Sequence, residues 1–392
     1  MLRLMSMEDV LWSFAWITAV AAIAPLLVGL LPGPRIPEVV LLLALGIVIG
    51  PYGVDLAASS APIELLSQLG LGMLFLMAGL EIEPAMLRSR DGSRAGIAWL
   101  VSLTVALVWV GLLSLALGFE AWHALAIAMT STALGTLLPI LRDTGLLERP
   151  MGSLVMSNGA VGEFGPIVAM SVLVTTGSAW AGISSLLAFG AIALVMGFAI
   201  VRHGPRAERI VALVQHHAET TSQAPIRLVI LLLALMLVLS EAFGLDVILG
   251  AFVAGVIVRM LLPDDHDRFL ARLDGIGFGL LIPVFFVVSG MAIDFGVVLD
   301  DWTIALAFFV SILVVRGLPV LVAFRHIGRG DSVQLALFSA TGLPVIVAVT
   351  TIAVDAGLMD LAGQSVVVAA GMLTVLVFPL TAIELGRSRS TA

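Results

Sequence analysis

Long apolar segments separated by short polar ones repeat along this whole chain. A helix needs ~20 apolar residues to cross a bilayer, and about thirteen such segments can be counted. They begin near Val10, Ile36, Leu65, Ala95, Trp122, Met151, Trp180, Pro225, Leu245, Gly275, Trp302, Ser332 and Gln364. The pattern predicts an all-α polytopic membrane protein with about thirteen transmembrane helices, embedded in a lipid bilayer.

The basic residues test this segmentation, because cytoplasmic loops of membrane proteins carry an excess of arginine and lysine. The chain has no lysine, so all 19 basic residues are arginines. All except Arg3 and Arg316 lie in alternate loops, while the intervening loops carry acidic residues such as Asp246 and Asp300. This alternation predicts an odd number of spans in the cell (inner) membrane, with the N-terminus outside and the C-terminus cytoplasmic.

Composition agrees with a membrane protein and narrows its chemistry. Hydrophobic residues make up 60% of the chain and charged residues 12%, and the mean hydropathy is +1.15, far from the values of soluble domains. Without cysteine, disulfides and thiolate metal sites are excluded. The net charge of -8 gives no reason to expect a nucleic-acid partner, and no cofactor is expected.

The order of spans predicts an internal repeat. The longest polar segment, Arg202 to Arg227, falls just past the middle of the chain. Six spans precede a linker span and six follow it, which places the two halves in opposite orientations. The sequence therefore predicts two inverted six-helix repeats, an arrangement typical of secondary transporters.

The fifth span of each half is interrupted at a matching position. Residues 129–135 interrupt the fifth span and residues 338–344 interrupt the twelfth. Pro344 has no backbone N–H to donate, and Gly135 and Gly342 weaken a helix. Interrupted backbone at membrane depth is tolerated where it lines a cavity or packs in protein. Matching interruptions therefore indicate a transport site built from discontinuous helices.

Glu163 lies near the middle of the apolar stretch from Met151 to Val174. A carboxylate at bilayer depth costs at least ~2.5 kcal/mol on insertion scales, so it is by default a functional residue. The alternative is a structural carboxylate paired with a neighbouring helix. Asn158 precedes it by one and a half turns, and either supplies a ligand oxygen or only forms a hydrogen bond between helices.

Neutral oxygens near the interruptions complete a candidate cation site. Hydroxyl and amide groups can replace part of the water around a sodium or potassium ion, although such groups are also common packing residues in membrane helices. The candidate ligands are Thr130, Ser131, Thr132, Thr341 and Asn158. Glu163 would then bind a proton or a cation but not both, and this competition would couple the two ions.

Arg316 is the second costly residue, because a guanidinium inside a span cannot lose its proton. Either it pairs with Glu163 when no cation is bound, or it faces the partial negative ends of the broken half-helices. Snorkelling to the cytoplasmic surface is the third arrangement. As a permanent compensating charge, it predicts exchange of one proton per monovalent cation, which is electroneutral.

Three segments resemble the second cation:proton antiporter family. They are Leu45–Pro51 (Leu-Gly-Ile-Val-Ile-Gly-Pro), Leu71–Pro84 (Leu-Gly-Met-Leu-Phe-Leu-Met-Ala-Gly-Leu-Glu-Ile-Glu-Pro) and Phe285–Met291 (Phe-Phe-Val-Val-Ser-Gly-Met). The family includes Kef-like potassium efflux systems and NapA-like sodium/proton antiporters. The resemblance covers nearly the whole chain and implies an NhaA/NapA-like fold with crossing discontinuous helices.

The resemblance also implies a domain organisation and roles for the costly residues. Scaffold helices that form a homodimer would be residues 1–92 (helices 1–3) and 225–299 (helices 8–10). Mobile core helices would be residues 93–178 (helices 4–6) and 300–392 (helices 11–13 and a short cytoplasmic tail), with linker helix 7 and its loop over 179–224. Glu163 stands where the family keeps an essential aspartate, and Arg316 where it keeps a basic residue.

Two departures from the family pattern limit what the resemblance predicts. Members usually have two adjacent polar or acidic residues at the carrier position, whereas here Gly162 precedes Glu163. The choice between sodium and potassium therefore stays open. The chain ends at Ala392 without the nucleotide-binding domain of many Kef-like members, so nucleotide control would require a separate regulatory subunit.

Together these features predict a secondary active transporter that exchanges Na⁺ or K⁺ for H⁺ by alternating access. Two other classes stay open: a channel-like efflux pore without obligatory exchange, and a sodium-coupled organic-anion symporter. The symporter would need large basic substrate contacts, for which only Arg316 qualifies. An intramembrane enzyme is not expected, because the chain has no His-Glu-x-x-His or Gly-x-Gly-Asp motif.

Overall fold

The computed structural model is all-helical over the residues that it describes, which are 6–30, 37–81, 89–117, 121–173, 184–192, 223–262 and 267–390. The first helices are α1 Met7–Leu30, α2 Glu38–Ile49, α3 Ala61–Glu81, α4 Arg90–Leu117, α5 Trp122–Ala128, α6 Leu134–Asp143 and α7 Pro150–Leu173. The later helices are α8 Ala224–Ala242, α9 Val247–Leu261, α10 Asp267–Ile276, α11 Ile282–Met291, α12 Phe295–Asp300, α13 Trp302–Ile312, α14 Leu318–Ala323, α15 Arg329–Ser339, α16 Pro344–Asp355 and α17 Leu361–Ser390. Two π-helical segments, Gly277–Leu281 and Leu313–Gly317, continue α10 into α11 and α13 into α14.

Eight helical segments among the described residues are long and apolar enough to cross a membrane. Two shorter apolar helices, α2 and α9, add to them. The predicted linker helix and loop, 179–224, lie mostly outside the described residues. These apolar helices confirm an integral membrane protein, while the count of thirteen spans stays a prediction.

The chain divides into two compact units. The first comprises Met1–Ser67, Glu83–Pro166 and Pro283–Ala392, and the second comprises Gln68–Ile82 and Ile167–Ile282. The first unit contains both interrupted helices together with Glu163 and Arg316, and so the whole candidate site. The assignment of scaffold and core domains made from the sequence stays a prediction.

Both predicted interruptions are present. Five residues separate the end of α5 from the start of α6, and four residues separate the end of α15 from the start of α16 at Pro344. Serine and threonine in the gaps hydrogen-bond to nearby backbone in competition with a helix, and proline is favoured at a first helical position, where its missing N–H has no partner to lose. Gly135 differs from its prediction, because it lies in the first turn of α6 rather than in the gap.

Two of the segments that carry the family resemblance pack against each other through glycine. Gly46 of helix α2 and Gly50, which follows its last residue, face Gly290 and Met291 of α11. A Cβ added at Gly46 would lie 3.0 Å from the Cα of Gly290, and one added at Gly290 would lie 3.0 Å from the Cα of Leu43. Small residues let helix backbones approach closely, which is how helices associate in lipid. These motifs therefore form a packing surface between two helices.

The third segment that carries the family resemblance also packs against a neighbouring helix through glycine, here within the second unit. A Cβ added at Gly79 of α3 would lie 3.1 Å from the Cα of Gly255 of α9, and the reverse contact would be 3.0 Å. Such distances are tighter than nine in ten real Cβ contacts, and the carbonyl oxygens of Phe252 and Leu76 would lie nearer still. Glycine at both positions therefore sets the separation of these two helices.

Asp246 caps the N-terminus of α9 in the turn that follows α8. Its Oδ1 accepts a hydrogen bond of 2.8 Å from the N–H of Ile248. Burial raises the pKa of this carboxyl from 3.8 to about 6, against the opposing effect of that hydrogen bond. Because the native protein holds the proton more tightly than the unfolded chain, the stability that Asp246 contributes is complete below pH 3.8 and is lost as the pH rises through about 6.

We expect Asp246→Asn to raise thermal stability by a few degrees at about pH 8 and to change it little at about pH 4. Asparagine keeps the capping acceptor and removes the buried charge. Thermal unfolding in detergent at both pH values measures this. The control, Asp246→Ala, also removes the cap and should be less stable than Asp246→Asn at both. An asparagine variant that loses stability at alkaline pH would show that the ionised carboxylate is stabilising.

Candidate functional site

The two interrupted helices cross and hydrogen-bond to each other at their gaps. The N–H of Ala133 donates to the carbonyl oxygen of Thr341 at 2.7 Å. The hydroxyl of Thr132 donates to the carbonyl oxygen of Ser339, the last residue of α15, at 2.6 Å. The sequence showed two gaps at matching positions, and the structure joins them into one centre.

Gly342 provides the close approach that this crossing requires. A Cβ added at Gly342 would lie 2.6 Å from the Oγ of Ser131 and 2.8 Å from its carbonyl oxygen. The backbone N–H of Gly342 donates to Thr374 Oγ1 of α17 at 3.2 Å, and that hydroxyl donates to the carbonyl of Gly371 at 2.7 Å. Thr374 was missed by sequence reasoning, because nothing in its apolar surroundings distinguishes it from an ordinary helical threonine.

Glu163 is placed at the N-terminus of a half-helix. Its side chain is buried, with 5% of the residue exposed. Oε1 accepts hydrogen bonds from the N–H groups of Leu134 at 2.8 Å and Gly135 at 3.3 Å, the first two residues of α6. A helix N-terminus carries partial positive charge and unpaired donors, so it favours an anionic carboxylate. This geometry places a carboxylate beside the crossing.

Trp99 of α4 encloses the same part of α7. Its ring lies directly over Gly165, where an added Cβ would lie 2.6 Å from Cζ2 of the indole. The tryptophan is buried. Trp99 was not identified from the sequence, because only a contact between two distant segments brings it next to Gly165, two positions after Glu163.

Arg316 lies in the π-helical segment Leu313–Gly317 and is fully buried. Its Nε and Nη2 donate to Thr132 Oγ1 at 3.2 and 3.1 Å, and Nη2 also donates to the carbonyl of Asn158 at 3.0 Å. Among the described residues these hydrogen-bond partners are neutral. The hydroxyl of Thr132 donates in turn to the carbonyl of Ser339, the last residue of α15. The compensating role of Arg316 stays a prediction.

Gly162 makes this position of Arg316 possible. A Cβ at Gly162 would lie 2.8 Å from Nη2 of Arg316 and would overlap the hydroxyl of Thr132. The carbonyl of Gly162 also accepts a hydrogen bond of 3.0 Å from the N–H of Thr132. Gly162, the residue that departs from the family pattern, therefore provides the surface on which the guanidinium packs.

The remaining candidate ligands keep acceptor capacity. Thr130, Ser131 and Thr341 each donate their hydroxyl proton to a carbonyl of the preceding turn, at 2.7, 2.7 and 3.1 Å. A hydroxyl that donates in this way retains its lone pairs. Asn158 Nδ2 donates to the carbonyl of Leu154 at 3.0 Å, while its buried Oδ1 has no hydrogen-bond partner among the described residues. Their role as cation ligands stays a prediction.

Comparison with known proteins finds one family over nearly the whole chain. The family described as sodium/hydrogen exchanger, transmembrane, matches residues 18–385. A protein named probable Na(+)/H(+) antiporter 3 from Methanocaldococcus jannaschii is 25% identical over 384 residues, which cover 96% of each chain. Putative Na(+)/H(+) antiporter YjbQ from Bacillus subtilis is 24% identical over 341 residues, which cover 81% of this chain and 54% of that protein.

Solved structures agree on the fold. The sodium proton antiporter MjNhaP1 from Methanocaldococcus jannaschii at pH 8 superimposes with a TM-score of 0.66 at 16% identity, covering 96% of this chain and 99% of that one. An electron microscopy structure of the same antiporter gives a TM-score of 0.67 at 18% identity, covering 98% of this chain and 97% of that one. These matches confirm the resemblance to cation/proton antiporters but do not support its narrower form, the second cation:proton antiporter family with its Kef-like members.

Proposed function

The chain belongs to the sodium/hydrogen exchanger family, and on that premise we propose that Glu163 is the common carrier of the cation and the proton. The observation that supports this role is its buried carboxylate, held by the N-terminus of α6 where the two interrupted helices cross. A carboxylate in such a site holds either a proton or a cation, so binding of one ion requires release of the other. This competition couples the movement of the two ions.

Sodium is the cation that we propose. The relatives and the structural neighbour are named as sodium/proton antiporters, whereas potassium has only the weaker support of the sequence resemblance. Neutral oxygens of Asn158, Thr130, Ser131 and Thr341 would replace part of the hydration of the ion. All four residues are buried, so these oxygens are shielded from competing water.

The exchange is proposed to be electroneutral. Glu163 supplies one titratable carboxylate, and Arg316 keeps its charge throughout the cycle. The site then carries the same total charge with one sodium ion bound as with one proton bound. Alternating access would come from movement of the core helices, as in transporters whose discontinuous helices cross at the site.

The wider architecture is proposed from the same features. Matching interruptions in the two halves support thirteen spans with two inverted six-helix repeats, and the alternating arginines support an outside N-terminus. A scaffold of residues 1–92 and 225–299 would form the homodimer.

Proton movement in proteoliposomes tests this function. The purified protein is reconstituted into vesicles with an acidic interior and a pH-sensitive dye, and sodium, lithium or potassium chloride is added outside. We expect sodium to dissipate the pH gradient, with no net current on a membrane-coated electrode. Vesicles without protein serve as the control.

Three results would contradict the proposal in different ways. Cation current without proton movement would indicate a channel. A net current that accompanies each exchange would contradict electroneutrality but leave antiport intact. A response to potassium and not to sodium would replace the proposed cation while keeping the mechanism.

A further inference from the structure

We propose that Thr374 of α17 is a positioning residue that fixes the second gap and thereby determines how the site discriminates among monovalent cations. This inference rests on the proposed function, in which oxygens of both gaps bind the transported ion. In this role Thr374 acts on the ion only through the backbone of Gly342, which packs against the first gap.

Thr374 supplies the partner of a buried backbone N–H in the second gap. Its Oγ1 accepts a hydrogen bond of 3.2 Å from the N–H of Gly342 and lies 3.4 Å from the carbonyl oxygen of the same glycine. Its own proton goes to the carbonyl of Gly371, one turn earlier in α17, at 2.7 Å. A buried N–H needs a partner, and the interrupted helix does not provide one here. A side chain of α17 therefore replaces the missing helical bond.

Gly371 lets α17 approach the gap this closely. A Cβ added at Gly371 would lie 3.5 Å from the carbonyl oxygen of Gly342 and 3.1 Å from Cδ1 of Leu343. Thr374 is fully buried, so water does not compete for its hydrogen bonds. Thr374 and Gly371 together hold the second gap against α17.

The position of Gly342 in turn fixes two of the proposed sodium ligands. Thr341 directly precedes Gly342, and Ser131 of the first gap packs on it, since a Cβ added at Gly342 would lie 2.6 Å from Ser131 Oγ. The N–H of Ala133 also binds the carbonyl of Thr341 at 2.7 Å. A displacement of Gly342 would therefore change the distance between the hydroxyls of Ser131 and Thr341.

The two gaps are anchored to their neighbouring helices by different means. In the first gap, the N–H of Thr132 donates to the backbone carbonyl of Gly162 in α7 at 3.0 Å. In the second gap, the N–H of Gly342 donates to a side chain. A backbone carbonyl is present whatever residue occupies the position, whereas this hydroxyl depends on the residue at 374. The second gap is therefore the one whose anchor a single side chain controls.

A firmly placed set of oxygens is what separates cations of equal charge and different radius. Selectivity between cations depends on cavity size, ligand number and the flexibility of the site. Removal of a group that orients a metal ligand typically lowers metal affinity by about 10- to 100-fold. Without the hydroxyl of Thr374, the gap loses its anchor and the ligand oxygens can separate. The larger potassium ion should then bind better relative to sodium.

The test disturbs this contact from both sides. Thr374→Val removes the hydroxyl with little change of shape, while Thr374→Ser retains it. Gly342→Ala keeps the hydroxyl and introduces a Cβ against Ser131. The matched control is Thr350→Val, because the hydroxyl of Thr350 is also fully buried and donates to carbonyls of its own helix, α16. Thermal unfolding in detergent without sodium shows whether each variant folds.

Uptake of radioactive sodium into proteoliposomes is measured at one pH, with increasing unlabelled sodium, lithium or potassium as competitor. The readout is the concentration of each competitor at half-inhibition, divided by that of unlabelled sodium. A change in proton binding would scale the affinities for all three cations alike, so it cancels in this ratio. For Thr374→Val and Gly342→Ala we expect the potassium ratio to fall about tenfold. Thr374→Ser and Thr350→Val should keep the ratios of the parent protein.

Distinct results would overturn the positioning role. The parent's ratios in Thr374→Val, whatever its maximal rate, would show that Thr374 only supports the fold. If Thr374→Val did not fold, the parent's ratios in Gly342→Ala would refute the role equally, because Thr374 is proposed to act through Gly342. Changed ratios in Thr374→Ser that match those of Thr374→Val would exclude the hydroxyl as the cause. Absence of sodium uptake by the parent protein would instead refute the proposed function itself.

Discussion

Replacement of Glu163 by glutamine is expected to reduce sodium-driven proton movement to the level of vesicles without protein. Glutamine has nearly the same shape, and its side-chain oxygen can still accept the hydrogen bond from the N–H of Leu134. The variant should therefore fold. It cannot bind a proton in exchange for a cation, so the coupled reaction loses its carrier.

The measurement is the dye assay in proteoliposomes, with Glu163→Asp and Glu384→Gln as companions. Aspartate keeps the charge but is one methylene shorter, so we expect exchange to persist with weaker sodium affinity. Glu384 is an exposed residue near the end of α17, and its glutamine variant should exchange normally. Normal exchange by Glu163→Gln would show that Glu163 is structural and that the carrier is another group.

Substitution of Gly290 by alanine is expected to cause a large loss of stability. The added Cβ would lie 3.0 Å from both the Cα and the carbonyl carbon of Leu43, with the carbonyl oxygen nearer still. Backbone atoms cannot move aside as a flexible side chain does, so α2 and α11 must separate. We expect a loss at or above ~3 kcal/mol, the upper end for overpacked sites.

Gly96→Ala is the matched control because its effect on stability should have the opposite sign. Gly96 is inside α4 with open space around it, and alanine is favoured over glycine inside a helix by ~1 kcal/mol. Thermal unfolding in detergent, followed by fluorescence or size-exclusion chromatography, compares the two. Equal effects at both positions would show that helix propensity, rather than the close contact between α2 and α11, determines the change in stability at Gly290.

Much of the architecture was accessible from the sequence. Apolar segments of membrane-spanning length follow from the cost of exposing polar groups to lipid. The alternation of arginine between loops predicted the orientation of these segments. The same cost made Glu163 and Arg316 conspicuous, because ionised side chains at membrane depth are rare unless they have a function. Gly342 and Pro344 likewise marked the second gap through their local effect on helix geometry.

The partners of these residues were not accessible in the same way. Arg316 and Thr132 are separated by 184 positions, and no local pattern indicates that one hydroxyl joins the guanidinium to the end of α15. Gly162 was interpreted as a ligand lost from the carrier position, whereas its missing side chain provides the space for Arg316. Trp99 and Thr374 had no signal at all, because their surroundings in the sequence are ordinary for membrane helices.

Local sequence pattern is enough to predict a helical membrane protein, the places where its helices break, and the buried charges that must be compensated. These properties follow from local composition and from the free energy of placing polar groups in lipid. Which groups meet at the crossing depends instead on how the chain is folded. Hydrogen bonds such as that of Thr132 with Ser339, and close approaches such as that of Gly162 with Arg316, depend on distances between segments far apart in the chain.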